Sequence, residues 1–242
     1  MADQQKHVPQ DMNRLLAALP GPELERILPH LEILTLHVGE VLDDSGNALN
    51  YVYFPTTAIV SLLYTMDSGV SAEIAVVGNE GVVGIALFMG GGAMPNKAVV
   101  QSEGHAFRME GRLFKEEFKR AGKLQHLLLR YTQALLTQMT QTAVCNRHHS
   151  VDQQLCRWLL LSLDRMPSNG STLSQELLSV MVGTEHDGMS EAVSKLEGAG
   201  LIRSKGDRIS VLDRPGLEAR VCECYAVVKK ESSRLLPELS AG

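Results

Sequence analysis

The chain has 242 residues, which is enough for two domains that each bury a core. Hydrophobic residues make up 44% and charged residues 21%, and these ordinary globular values exclude a disordered chain. The net charge of -5 argues against a protein that binds nucleic acid through its overall charge, although a local basic patch is compatible with it.

The sequence offers no membrane or secretion signal. No apolar run approaches the roughly 18 residues that cross a bilayer, and the first seven residues are polar rather than basic and then apolar. We therefore expect a cytoplasmic protein with no membrane partner. The cysteines are too few and too dispersed for a disulfide framework; they are Cys145, Cys156, Cys222 and Cys224.

The first elements are short helices followed by strands. Leucines at helical spacing lie on both sides of Pro20-Gly21-Pro22 between Asp11 and Leu31. From Ile33 to Met109 the period changes to two, with turn residues between the segments. The predicted strands are Leu34–Val38, Tyr51–Phe54, Ala58–Tyr64, Glu73–Val77, Lys97–Val100 and His105–Met109. Short, evenly spaced strands predict an antiparallel β-roll or jelly roll, and we assign it residues 1–110.

Helical periodicity returns at Arg112 and continues to about Met166, with possible breaks near Gly122 and at residues 148–150. One face follows steps of four and three; its members are Leu124, Leu128, Tyr131, Leu135, Gln138, Thr142 and Cys145. This spacing favours a two-stranded contact between subunits, so residues 111–149 are predicted to be a dimerisation helix. A helix that covers its own β-domain has a similar pattern, and the sequence leaves that alternative open.

Residues 150–242 are predicted to form a winged helix-turn-helix domain that ends in a helix. After an amphipathic helix at Val151–Leu163, Leu173–Val182 has helical periodicity and ends at Gly183. A second helix follows over Thr184–Glu197, with a stripe of Met189, Val193 and Leu196. The segments at 201–203 and 208–212 then flank a turn and predict a hairpin wing. The fold class is α+β: a β-roll, a long helix and a winged helix-turn-helix.

This order of elements resembles the Crp/Fnr family of bacterial transcription regulators over nearly the whole chain. The resemblance is carried by Val38–Leu42 at the opening of the roll, by Val151–Leu160, and by Leu173–Leu212. It implies a homodimer that binds a two-fold-related double-stranded DNA site and places the second helix of each unit in a major groove. It also implies a signal sensed by the roll, and RNA polymerase as a partner.

The sequence departs from the cyclic-nucleotide members of that family. Those members bind the ribose through a Gly-Glu-Leu segment, and at the corresponding position this chain has Gly84-Ile85-Ala86. They bind the phosphate through an Arg-Ser-Ala segment, where this chain has Lys97-Ala98-Val99. The carboxylate, the forked guanidinium and the hydroxyl are lost, and Lys97 offers only a point charge. We therefore predict an effector other than a cyclic nucleotide. The candidate effector pocket is Gly84, Ile85, Lys97 and Ala98.

The sequence predicts no metal and no cofactor. Oxygen-sensing members of the family hold an iron–sulfur cluster through closely spaced N-terminal cysteines, and this chain has none before Cys145. Cys145 lies near His148 and His149, while Cys222-Glu223-Cys224 offers two sulfurs. Neither set alone has the spacing of four tetrahedral ligands.

The second helix of the predicted helix-turn-helix has an unfavourable charge for DNA. Where typical members of the family carry arginines, this chain has Glu185, His186, Asp187 and Glu191. From Gly170 to Arg214 there are five basic and seven acidic residues, so affinity and guanine recognition should both be weakened. The wing is better suited, because Arg203, Lys205 and Arg208 can reach phosphates.

Two function classes follow. The first is a DNA-binding transcription regulator; the second is a helix-turn-helix protein that has lost DNA binding and binds a basic protein through its acidic face. We predict no enzyme, because the sequence has no nucleophile with a nearby base and no phosphate-binding loop. The predicted DNA-binding residues are Ser174, Gln175, Thr184, His186, Asp187, Ser190, Glu191, Lys195, Arg203, Lys205 and Arg208.

Overall fold

Seven strands in the N-terminal half form two antiparallel sheets. In chain order they are β1 (Glu32–Leu36), β2 (Val41–Asp43), β3 (Tyr51–Pro55), β4 (Ile59–Thr65), β5 (Ser71–Val77), β6 (Lys97–Ser102) and β7 (Gly104–Glu110). One sheet has the order β1-β7-β3 and the other β2-β6-β4-β5. This is the computed structural model of the chain, and it describes residues 12–165, 173–174, 186–205 and 208–236.

The β-roll prediction is confirmed. Val52 and Phe54 of one sheet and Val60 and Val77 of the other share a buried core, as the alternating pattern requires. Three helices cover one end of that core: α1 (Arg14–Ala17), α2 (Gly21–Ile27) and α3 (Ala86–Met89). Strand β2 and helix α3 are too short to give a periodic signal, and the sequence does not predict them.

The long helical region divides where the sequence predicts breaks. Its three helices are α4 (Gly111–Lys119), α5 (Lys123–His148) and α6 (Val151–Leu163). Gly122 has no side chain to cap α5, and the Glu23 carboxylate accepts from the amides of Lys123 and Leu124 instead, both at 3.0 Å. Ser150 caps α6 in a reciprocal capping box with Gln153. No helix among the described residues has the length and apolar character needed to cross a membrane.

In the described part of the C-terminal domain there are a three-stranded sheet and three further helices. The strands are β8 (Leu173–Ser174), β9 (Ile202–Lys205) and β10 (Arg208–Val211), in the order β8-β10-β9. The helices are α7 (His186–Gly198), α8 (Arg214–Arg220) and α9 (Glu223–Leu235). Helix α6 joins the two halves, because its Leu155 and Leu159 belong to a core that includes Ile59 of the roll and Leu196 of α7.

The predicted start of the first helix of the helix-turn-helix is wrong. Leu173 and Ser174 are extended and pair with Ile209 and Arg208 of the wing. The free edge of β10 offers backbone hydrogen-bonding groups, and satisfying them outweighs the helical periodicity that Leu173 shares with the next residues. The rest of that predicted helix, including Gln175, lies outside the described residues.

Candidate nucleic-acid interface

Helix α7 occupies the position predicted for the second helix of the helix-turn-helix. Met189, Val193 and Leu196 are buried as predicted, and Ala192 joins them at the spacing of one helix face. They pack in the same core as Leu155 and Leu159 of α6. The opposite face carries Ser190, Glu191 and Lys195, which are exposed.

The basic group on the exposed face of α7 is already paired. Lys195 Nζ lies 3.0 Å from the Glu191 carboxylate one turn earlier and 3.7 Å from the Asp152 carboxylate of α6. Hydrogen bonding to Glu191 raises the pKa of Lys195, so the ammonium keeps its proton. Any phosphate that approaches this ammonium must therefore compete with two carboxylates.

The wing presents its basic residues on one face. Lys205 pairs with Arg208, and Arg203 pairs with Ser210, and residues directly opposite in an antiparallel ladder point to the same side. Ile202 and Ile209 lie on the other side and are buried. Arg203, Lys205 and Arg208 are all exposed, and none forms an ion pair with another residue in the part of the chain that the structure describes. We call these three side chains the wing cluster.

The wing is held firmly against α7 and α8. The Glu197 carboxylate at the end of α7 accepts from the Ser204 amide at 2.9 Å. Asp213 accepts from the Gly216 amide at 3.0 Å, and a side chain at Gly216 would collide with Leu201. These contacts fix the wing cluster relative to α7, so the two surfaces can meet one duplex as a unit.

Some predicted DNA-binding residues lie wholly or partly outside the described residues. Gln175 and Thr184 lie outside the described residues, as does Glu185. His186 and Asp187 begin α7, but the structure describes only their backbone. Ser174 lies in β8, where its backbone pairs with Arg208 of the wing. The side chains of the predicted interface that the structure describes are therefore the wing cluster together with Ser190, Glu191 and Lys195.

The predicted dimer seam faces the interior of the chain. Its members are buried within the chain; they are Leu124, Leu128, Tyr131, Leu135, Gln138 and Thr142. Gln138 donates to the Val76 carbonyl of β5 at 2.9 Å, and Leu124, Leu128, Tyr131 and Leu135 join the core of the roll. The face richer in apolar groups covers the chain's own β-domain, the alternative that the sequence left open, because burying it there removes more apolar surface from water.

Two residues of the predicted effector pocket, Ile85 and Ala98, belong to the core of the roll. Both side chains are buried in the core of the roll, which leaves them no open surface for a ligand. Lys97 lies on β6, and its Nζ forms an ion pair with Asp44 at 3.1 Å. Gly84 has φ +102° and lies close to Val52, so a glycine is favoured here by the backbone conformation and by the close packing of the roll.

Open space in the roll lies elsewhere. A cavity of about 530 Å³ opens between β3, α3 and the start of α4. None of the four predicted effector residues lines it. Its walls include Tyr51 and Leu87 on one side and the charged groups of Glu110, Arg112 and Lys115 on the other.

The structure brings together the two cysteine groups that the sequence leaves separate. Cys145 and His149 at the end of α5 meet Cys222 and Cys224 at the start of α9. His148 is exposed, and Cys156 is buried in the other core beside Leu155 and Leu159. By sequence spacing, each group is a separate set of metal ligands, and neither has four suitable ligands alone. The packing of α9 on α5 brings residues of both groups together.

Comparison with known proteins agrees with this architecture. Residues 153–220 match the Crp-like helix-turn-helix domain family. No curated protein sequence is significantly similar to the chain.

Solved structures share the fold over most of the chain. FixK2 from Bradyrhizobium japonicum has a TM-score of 0.66 at 15% identity, covering 79% of this chain and 98% of its own. CLP from Xanthomonas campestris, a c-di-GMP-responsive global regulator, has a TM-score of 0.64 at 16% identity, covering 80% and 100%. A CRP family transcriptional regulator from Thermus thermophilus has a TM-score of 0.62 at 17% identity, covering 77% and 95%. The chain therefore has the fold of Crp/Fnr regulators and carries a Crp-like helix-turn-helix domain at residues 153–220.

Proposed function

We propose that the protein is a DNA-binding transcription regulator of the Crp/Fnr type that binds a two-fold-related duplex site as a homodimer. The observation that carries this proposal is the wing cluster, three exposed cations on one face beside the second helix of a Crp-like domain, with no ion pair to any residue that the structure describes. Phosphate contacts from such a cluster supply affinity and orient the domain on the duplex, while base contacts supply sequence preference.

The wing provides most of the affinity in this proposal. Lys195 is shared between Glu191 and Asp152, and Glu191 itself would meet phosphate oxygens with a negative charge. Sequence preference then rests on α7 and its side chains at Ser190, His186 and Asp187, which can bond to base edges. We expect binding that is weak at physiological salt and strongly salt-dependent.

An exposed stripe of α5 supports the homodimer. Leu129, Leu136 and Val144 lie on the face opposite the roll, and their side chains are 55%, 55% and 42% exposed. Gln133 and Thr140 are exposed between them, so steps of four and three lead from Leu129 to Thr140, and a further step of four reaches Val144. Steps of four and three are the spacing that packs one helix against its copy. This stripe replaces the predicted seam, which is offset from it around the helix.

The effector in this proposal is not a cyclic nucleotide bound in the usual way. The position of the phosphate-binding arginine is held by Lys97, whose charge Asp44 already neutralises.

Removing one cation of the wing cluster should weaken binding to all duplexes. Arg203→Ala, Lys205→Ala or Arg208→Ala each removes one phosphate contact per subunit, or two per dimer. The slope of log K against log salt should therefore become shallower by roughly 1.8, at about 0.9 per contact. The measurement is a fluorescence anisotropy titration at several salt concentrations, with a duplex selected from a random pool.

Lys119→Ala is the matched control, because Lys119 is an exposed lysine on α4, far along the chain from the wing. It should leave the slope unchanged. Wild-type protein that shows no duplex preference even at low salt, while its circular dichroism is that of a folded protein, contradicts the proposed function and favours the protein-binding alternative.

Placing a charge in the centre of the exposed α5 stripe should separate the subunits. Leu136→Glu puts two carboxylates at the two-fold contact, and we expect a monomer at concentrations where the wild type is a dimer, because like charges cannot be desolvated together there. Light scattering coupled to size exclusion measures the mass. Leu212→Glu, at another leucine that is 50% exposed, should remain dimeric. A dimeric Leu136→Glu variant would place the interface elsewhere.

A further inference from the structure

Four side chains that can bind a metal converge where the long helix ends. Cys145 lies in the last turn of α5, and His149 follows that helix directly. Cys222 precedes α9, and Cys224 lies in its first turn. One potential ligand atom from each residue lies within 4.8 Å of the other three. The three cysteines are buried, and the His149 side chain is mostly so.

Two of the six separations among these atoms lie close to the edges of a tetrahedron around one ion, and all six are within 4.8 Å. The Sγ atoms of Cys145 and Cys222 are 3.5 Å apart, and Cys224 Sγ lies 3.6 Å from His149 Nδ1. Zinc bonds of about 2.3 Å to sulfur and about 2.0–2.1 Å to nitrogen require edges of about 3.8 Å and about 3.6 Å. Three sulfurs and one imidazole nitrogen form a common ligand set for structural zinc.

The histidine is oriented as a ligand. Its Nδ1 faces Cys224, while its Nε2 lies 3.3 Å from the Glu223 carboxylate. A carboxylate that accepts from the outer imidazole nitrogen fixes the ring and strengthens the inner nitrogen as a donor, the usual support for metal-bound histidine. Gln154 donates to the His149 carbonyl at 2.9 Å and holds the backbone in place.

The three thiols are buried and lie close to one another. A bound divalent ion takes such groups as thiolates, because coordinated thiols lose their protons and the ion neutralises the negative charges in place.

We propose that Cys145, His149, Cys222 and Cys224 bind one divalent zinc ion in a structural site that joins the end of α5 to the start of α9. The protein supplies all four ligands, so no position is left open for a substrate. Binding releases up to three protons, one from each thiol, and changes no oxidation state.

The site lies at the junction between the sensor and the DNA-binding domain. His149 is the residue between α5 and the Ser150 cap of α6, so coordination fixes the turn at which the long helix meets the C-terminal domain. Through Cys222 and Cys224 it also attaches α9, which packs along α5. The zinc site is independent of whether the protein binds DNA.

Metal analysis of the full-length protein tests the proposal. Protein purified under reducing conditions without chelator should contain about one zinc per chain by plasma mass spectrometry, as expected for a closed four-ligand site. Cys224→Ser should lose most of it, whereas Cys156→Ser, at a buried cysteine outside the cluster, should retain it. Replacement by Co²⁺ should produce the intense visible bands of tetrahedral thiolate coordination in the wild type and in Cys156→Ser.

A second variant keeps all four ligands, so that misfolding cannot explain the result. Glu223→Ala removes only the carboxylate behind His149 and should weaken metal affinity by about 10- to 100-fold. Glu231→Ala removes a carboxylate on the same helix that pairs with Arg234 and should leave affinity unchanged. Wild-type protein that contains no stoichiometric metal and gives no cobalt thiolate bands overturns the proposal, as does a Cys145–Cys222 disulfide in protein prepared without oxygen.

Discussion

Replacing Arg165 with methionine is expected to lower the free energy of unfolding by about 3–5 kcal/mol, because it leaves the Glu80 carboxylate buried without its counter-charge. Arg165 Nε lies 2.7 Å from Glu80 Oε1, and the two side chains are only 12% and 15% exposed. The same guanidinium donates to Gln138 on α5 at 3.0 Å and to the Leu161 carbonyl of α6 at 2.8 Å. It therefore ties the end of α6 to both the roll and the long helix.

The loop after β5 packs closely around this ion pair. A side chain at Gly78 would come within 2.7 Å of the Arg165 Cβ, so the loop after β5 lies directly against the arginine stem. Glu80 Oε2 is buried and has no hydrogen-bond partner among the described residues. The mostly buried carboxylate thus depends on Arg165 as its counter-charge.

Urea denaturation at neutral pH measures the change. The double variant Arg165→Met with Glu80→Gln removes both charges and should recover most of the lost stability, since an uncharged pair requires much less solvation. Arg234→Met, which breaks an exposed ion pair with Glu231, should change stability little. A single Arg165→Met variant that is no less stable than the double variant would contradict this account.

Glu73→Gln should make the protein more stable above pH 7 and change it little at pH 5. Glu73 lies on β5 and is only 7% exposed. Burial raises its pKa from 4.5 to about 7, against the opposing effects of the Ser61 hydroxyl and the guanidinium groups of Arg157 and Arg165. The folded protein therefore holds this proton at pH values where the unfolded chain has released it.

The sign of the effect follows from that difference. Stability from this group is fully present below about pH 4.5 and is lost as the pH rises to about 7, after which both states are ionised. Over this interval the loss amounts to roughly 3 kcal/mol, at about 1.4 kcal/mol per pH unit. Glutamine resembles the protonated acid and never ionises, so the variant avoids the loss.

The hydrogen bonds around Glu73 also favour its protonated form in the folded protein. The Ser61 hydroxyl has one proton, and it lies 2.6 Å from Glu73 Oε2 and 3.1 Å from Gln101 Oε1. A protonated Glu73 can donate to Ser61, which then donates to Gln101, whereas an ionised Glu73 takes the Ser61 proton for itself. Gln101 in turn donates to Ser162 on α6 at 3.1 Å, so the protonation of Glu73 reaches the helix that carries the DNA-binding domain.

Thermal or urea unfolding at pH 5 and at pH 8 tests this expectation. The stabilising effect of Glu73→Gln should be present at pH 8 and nearly absent at pH 5. Glu103→Gln, at an exposed carboxyl between β6 and β7, should leave the stability unchanged at both pH values. An effect of equal size at both pH values would show that Glu73 is already ionised in the folded protein at pH 5.

Local patterns in the sequence were sufficient to predict the order of most helices and strands. Alternation of period two located most strands of the roll, and Gly122 and Ser150 marked the breaks that separate α4, α5 and α6. The stripe of Met189, Val193 and Leu196 correctly identified the buried face of α7. These features succeed because a helix or a half-buried strand must repeat its apolar residues at its own period, whatever it packs against.

Tertiary packing alone decided which groups meet. Two stripes on opposite faces of α5 have similar spacing, and the position of the roll determines that Leu128 and Leu135 are buried while Leu129 and Leu136 stay exposed. Cys145 and Cys222 are 77 positions apart, and only the packing of α9 along α5 brings their sulfurs together with His149. Sequence periodicity describes one element at a time, whereas burial, charge pairing and metal coordination depend on contacts between elements that are distant in the chain.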